Sequence, residues 1–165
     1  MLIANTGCSD IGAAAPSKGN CSVAYPQLSG RVVDQDNVLT LEQEAKLTAS
    51  LAELETRTKH QMVVAIVSSL HGEVIENYSL CLANHWVIGR QSINDGVLLL
   101  VAPHERKVRI EVGYGLEAML TDDEAAQILR DDILPKFKQG LMPEGIFAGT
   151  DAILSEIGLP RDTAT

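Results

Sequence analysis

Two periodicities alternate along this chain. From Thr40 onward, Leu41, Ala45, Leu47, Leu51 and Leu54 recur at helical intervals, with Glu42, Glu44, Lys46, Glu53 and Glu55 largely opposite. Thr40 and Gln43 stand at capping-box spacing, each able to satisfy the other's free backbone N–H. The run QMVVAIVSSL is then apolar and rich in β-branched residues, as suits a central strand covered on both faces. EVIENYSLCLANHWVIG returns to helical spacing. It puts Val74, Tyr78, Cys81, Leu82 and His85 on or near one stripe, with Gly89 as the stop. DGVLLLVAP is a second wholly apolar strand. KVRIEVG instead alternates Val108, Ile110 and Val112 with Lys107, Arg109 and Glu111, which gives this strand one wet face or a place near an edge. The short link His104-Glu105-Arg106 between these two strands permits only an antiparallel hairpin.

Two further helices follow. DDEAAQILRDDIL turns Ala125, Ile128, Leu129 and Ile133 inward and is expected to end before Pro135. EGIFAGTDAILSEIG turns Ile146, Thr150, Ile153, Leu154 and Ile157 inward and stops at Gly158. Arg31-Val32-Val33 reads as a short first strand. Helices alternating with buried strands predict a three-layer α/β/α sandwich, with about four helices around a small mixed sheet that includes one antiparallel hairpin. Residues 1–24, rich in Gly, Ala, Ser and Asn and without periodicity, read as a flexible N-terminal tail. Residues 25–158 form a single domain, and 159–165 a C-terminal tail.

Composition narrows the function classes. The 165 residues carry 22 acids against 13 bases, a net charge of −9 with neutral histidines. Such a surface disfavours nucleic acid and anionic membrane and suits cations or basic partners. No apolar run approaches the roughly 20 residues that span a bilayer. The opening MLIANTGC is too short for the apolar core of a signal peptide. Cys81 reads as a small buried hydrophobe, while Cys8 and Cys21 are spaced to close a short loop as a disulfide.

Gly113-Tyr114-Gly115-Leu116-Glu117-Ala118 spells G-x-G-x-x-A after a strand, the pattern of a dinucleotide-binding turn. The context is wrong for it. The best helix start is Thr121, six residues after Gly115, and no strand follows. The glycines are instead expected to supply positive φ where the chain leaves the strand. Thr121 and Glu124 form another capping box, and the acids Asp122, Asp123 and Glu124 complement the helix dipole.

The hairpin places the start of one strand beside the end of the next. Asn94, Asp95, Tyr114, Glu117 and Asp122 should therefore gather at one sheet edge, offering oxygens and neither sulfur nor imidazole. Such sets suit calcium or magnesium rather than zinc or copper. Asp34 joins them if the first strand is an antiparallel edge strand, and lies at the opposite edge if it is parallel; the sequence leaves both open. The four histidines show no ligand spacing, and Ser68 and Ser69 lack the G-x-S-x-G turn of a hydrolase nucleophile. Arg90 and Arg106 read as solvated.

The segments LSGRVVDQDNVLT, HWVIGRQSINDGVLLLVAPHERKVRIEVGYGLEAMLTDDEAAQIL and ILPKFKQGLMPEGIFAGTDAIL resemble the TPM domain over about Tyr25 to Ile157. The resemblance implies an α/β/α sandwich. The family includes a plant thylakoid acid phosphatase linked to photosystem repair, and bacterial exported or membrane-anchored proteins, some of which bind calcium or other divalent cations in an acidic cleft. Carried over, the V-V-D aspartate is Asp34, the D-G aspartate Asp95 and the L-T-D aspartate Asp122. Asn94 stands where a second aspartate is common, which implies a weaker site. Export signals and downstream membrane segments or Gly-rich tails, frequent in the family, are not read in these residues.

The expectation is a module that binds a divalent cation, Ca2+ first and Mg2+ next, through Asp34, Asn94, Asp95, Glu117 and Asp122. Its implied role is maintenance of an envelope or membrane complex through a protein partner, in an exported, periplasmic or membrane-associated setting. One alternative is a metal-dependent acid phosphatase acting on phosphate monoesters, for which no catalytic residue is readable. The other is an interaction module without catalysis.

Overall fold

The computed structural model describes residues 20–158. Among them β1 (Val32–Asp34), β2 (Gln61–Ile66), β3 (Gly96–Ala102) and β4 (Lys107–Val112) form one open sheet in the order β1-β2-β3-β4. The first three strands run parallel and β4 is antiparallel to β3. The apolar runs of β2 and β3 are central, with helices over both faces, and the alternating β4 lies at an edge.

Six helical segments cover the sheet. They are α1 (Leu41–Thr58), α2 (Ile75–His85), α3 (Asp122–Ile128), a π-helical stretch (Leu129–Ile133), α4 (Leu134–Lys138) and α5 (Met142–Glu156). On one face Leu47, Leu51 and Leu54 of α1 and Ile146 and Ile153 of α5 pack against Val64 and Leu99. On the other, Ile75, Tyr78 and Leu82 of α2 pack against Ala65, Leu98 and Leu100. Each buried Leu, Ile or Val among these contributes about 1.5–3 kcal/mol by leaving water. The molecule is thus the expected three-layer sandwich. Both capping boxes form, Thr40 with Gln43 and Thr121 with Glu124.

The structure departs from the sequence pattern in three places. The third helix does not stop before Pro135. Leu129–Ile133 widen into π turns, and Pro135 falls in the first turn of α4, where its missing N–H breaks no α-helical bond. In α2, Val74 is the N-cap and is exposed, so Ile75 takes the inward place. That helix ends at His85 rather than Gly89, and the buried Trp86 completes the stripe instead of the exposed His85.

The third departure is Cys81, which is no solitary hydrophobe. It is bonded to Cys21. A Cys21 partnered by Cys81 is not free for the short loop with Cys8, a residue outside those described. Residues 20–24, read as tail, are therefore tied to α2, and Asn77 donates to the Asn20 carbonyl at 3.4 Å. Val23 and Tyr25 pack on the α2 core, and the Trp86 indole donates to the Pro26 carbonyl at 2.8 Å. No helix among the described residues is long and apolar enough to cross a membrane.

Candidate functional site

The starts of β2 and β3 and the end of β4 share one sheet edge, because Gln61 stands opposite Gly96 and Val97 opposite Val112. The chain enters β3 through residues 89–95 and leaves β4 through the 3-10 turn Tyr114–Leu116. These two loops clasp each other. Gly113 N–H donates to the Gly96 carbonyl at 2.8 Å, and Gly115 N–H to the Asn94 carbonyl at 2.9 Å.

The glycines serve this approach and not the expected positive φ, which belongs to Asn94 at 56°. A Cβ on Gly113 would collide with the Asn94 carbonyl oxygen, and one on Gly115 with that of Ile93. Both obstacles are backbone and cannot swing aside. Gly113→Ala is expected to cost about 2 kcal/mol in urea unfolding, as overpacking typically does. An unfolding midpoint equal to that of the parent would contradict this clasp.

Asp95 anchors the entering loop from inside. Its carboxylate is fully buried. Oδ1 accepts the Arg90 backbone N–H at 2.8 Å, and Oδ2 accepts Arg90 Nε at 2.9 Å together with Nη2. His60 Nδ1 lies 3.3 Å from Oδ2. Burial alone would raise the carboxyl pKa, but the hydrogen bonds from the Arg90 side chain and backbone and from His60, with the guanidinium charge, outweigh it and hold the group down to about 2. Asp95 is thus a structural anion, and Arg90, though partly in water, is its partner. The opening of the loop is fixed as well, since Gly89 N–H donates to Gln61 Oε1 at 2.8 Å.

Beside this clasp a cleft of about 230 Å3 opens between α2 and the end of β4. Asn84 from α2, Asn94 from the loop, Glu111 from β4, and Tyr114 and Glu117 from the exit turn are the polar residues that line it. Glu111 is oriented by Ser79 Oγ at 2.7 Å and Arg109 Nε at 2.9 Å, both on Oε2. The polar face of β4 is therefore partly covered by α2 instead of being fully wet.

The five residues expected to gather do so only in part. Asn94, Tyr114 and Glu117 line the cleft. Asp95 shares the edge but turns its carboxylate to Arg90 and His60. Asp122 opens α3, exposed, and does not line the cleft. Asp34 lies at the opposite edge, because β1 runs parallel to β2 and ends opposite Ile66. There it accepts the backbone N–H groups of Asp36 at 3.1 Å and Leu39 at 2.8 Å, shaping the turn into α1. Among the described residues no three His, Cys, Asp or Glu side chains converge to hold a metal. Sequence reasoning missed Asn84 and Glu111. Glu111 was legible as a carboxylate on the polar side of β4, but Asn84 carried no signal beyond its place near a helix end.

A mixed four-stranded sheet sandwiched by helices, with a G-x-G exit turn clasping the loop before the third strand, defines the class: an α/β/α domain with a polar cleft at one sheet edge. Residues 32–156 match the TPM domain, and the chain belongs to that family. Its fold is similar to the solution structure of the N-terminal domain of a protein from P. gingivalis. That likeness has a TM-score of 0.72 and 30% identity, over 77% of this chain and 81% of that one. It is also similar to the N-terminal domain of the cg2496 protein from Corynebacterium glutamicum, with a TM-score of 0.62 and 14% identity over 86% and 88% of the two chains. The BA42 protein from Bizionia argentinensis aligns with a TM-score of 0.63 and 20% identity over 75% and 84%. No curated protein matches the chain.

Proposed function

We propose that this TPM domain binds a divalent cation, calcium before magnesium, in the cleft between α2 and the end of β4. The observation that carries the reading is the set of polar residues lining the cleft: Glu111 and Glu117, Asn84 and Asn94, and Tyr114, with no Cys, Met, His or Lys among the lining residues. Oxygen donors of mixed charge in a roomy cleft suit calcium, which takes six to eight of them in flexible geometry, better than magnesium, which demands a near-ideal octahedron. Arg109 already neutralises part of Glu111, so the affinity is modest. In this reading Asp95 positions Asn94 and is not itself a ligand, while Asp34 and Asp122 act elsewhere, in a turn and a helix start.

Calorimetric titration of calcium into chelator-stripped protein tests it. Glu117→Gln is expected to weaken binding by about tenfold, since affinity follows the ligand charge count. Asp34→Asn and Asp122→Asn are expected to leave it unchanged. Absence of binding heat in the parent, or equal losses in all three variants, would sink the assignment. The phosphatase alternative has less support. Ser68 Oγ does donate to Asp36 at 2.7 Å, but that pair lies at the opposite edge from the cleft, so hydroxyl and cation would not meet.

A further inference from the structure

At the other end of the sheet lies a larger groove of about 640 Å3, between the β3–β4 hairpin and the α4–α5 connection. Its floor is apolar: Val101, Val108, Leu134 and Phe137. Its rim is cationic, with Arg106 and Lys107 on the hairpin side and Lys138 on the helical side, all three exposed. No carboxylate lines it, in a chain where acids outnumber bases 22 to 13. None of the three cations has an ion-pair partner among the described residues. An acidic protein that gathers unpaired cations around one apolar floor has a local field opposite to its global one.

A second observation comes from the backbone. The Gly113-to-Gly96 hydrogen bond marks that residue pair as a bonded one, and bonded pairs alternate along an antiparallel ladder. With the observed register, Glu111, Arg109 and Lys107 bond to β3, while Val108, Ile110 and Val112 turn their N–H and C=O groups outward. No strand follows β4 in the sheet order, so among the described residues these groups have no ladder partner. Val108 belongs to both the groove and this open edge.

We propose that the β4 edge and the adjoining groove together bind an extended peptide of acidic and apolar residues as an added strand. The peptide backbone pairs with Val108 and Ile110, an apolar side chain drops onto Leu134 and Phe137, and flanking carboxylates meet Arg106, Lys107 and Lys138. An acyl chain would satisfy the floor and the rim but would not pair with the edge amides, as a peptide strand does. The groove lies at the opposite end of the sheet from the cation cleft, and the peptide pairs with the half of β4 nearer the groove.

The test is amide NMR on the full chain, titrated with the probe acetyl-Asp-Asp-Val-Thr-Val-Asp-amide at low salt. Shifts are expected at Arg106 to Ile110 and Leu134 to Met142. Replacing the probe's aspartates with lysines is expected to weaken binding by about tenfold or more, as complementary charge at a partly desolvated rim predicts. N-methylation of alternate probe amides in the pairing phase should abolish binding, which needs no change to the protein. Arg106→Glu with Lys138→Glu should invert the charge preference of the probe. Shifts located elsewhere, unchanged binding by the N-methylated probe, or no binding at millimolar probe would each overturn the proposal. So would laurate moving the groove residues while the peptide does not, because the groove would then be an amphiphile site.

Discussion

Cys81→Ser is expected to lower the unfolding free energy by about 4 kcal/mol in non-reducing buffer, the chain-entropy value for releasing a cross-link across 60 residues. The bond to Cys21 encloses β1, α1, β2 and the start of α2, so its loss gives the unfolded chain back most of the freedom of its N-terminal half. The folded state loses something too. The segment that carries Val23 and Tyr25 over α2 keeps the Trp86–Pro26 hydrogen bond and its apolar contacts but not its covalent tether. Urea unfolding with and without dithiothreitol checks this. Reduced parent, Cys21→Ser and Cys81→Ser should agree with one another, and the double variant should lose no more. Oxidised parent and Cys81→Ser agreeing within about 1 kcal/mol would mean that the cross-link does not carry the stability assigned to it.

The other large effect is at Asp95. Asp95→Asn removes the charge from a fully buried side chain whose oxygens hold Arg90 and approach His60. Breaking a buried pair by removing one partner typically costs 3–5 kcal/mol. Arg90 keeps 43% of its side chain in water, so the expected loss is about 3 kcal/mol. The pH dependence follows from the same contacts. The folded carboxyl sits at about 2, below its ordinary 3.8, so its contribution is fully present above the unfolded value and disappears as the pH falls from about 4 to about 2. Unfolding free energies measured between pH 6 and pH 2, a range of about four units chosen to span both pKa values, should fall for the parent and flatten in this window for Asp95→Asn. Parallel curves for the two proteins would show that the Arg90 pairing does not govern Asp95.

Where side-chain pattern alone decides, the fold was legible. The continuous apolar runs made β2 and β3 central, the three-residue link forced the β3–β4 hairpin, and Thr40-x-x-Gln43 and Thr121-x-x-Glu124 marked helix starts that formed as read. Features that depend on partners distant in sequence were not. Cys81 sat on an apolar helical stripe and looked complete as a hydrophobe, while its partner lay 60 residues upstream in a segment without periodicity. Asp34 stood open because nothing in three strand residues encodes their direction; the parallel pairing with β2 sends it to the far edge. Arg90 gave no sign of Asp95, since only a loop folded back on itself makes residues five apart meet twice. The two glycines of the exit turn were correctly denied a nucleotide but given the wrong reason, because close approach of two loops cannot be read from one of them.

The sheet is laid down in the order in which the chain is written, β1 through β4, and this bears on how the protein is made. The α2 face needs only residues up to the end of β4, together with the segment that Cys21 fastens. The α1 face is different. Ile146, Ile153, Leu154 and Ile157 come from the last described helix and its end, and until they arrive this side of the core, with Leu47, Val64 and Leu99, is only partly covered. A chain still emerging from the ribosome therefore presents one finished surface and one partly covered apolar surface until α5 has emerged. The interval before then is when this domain is most exposed to association with other unfinished chains.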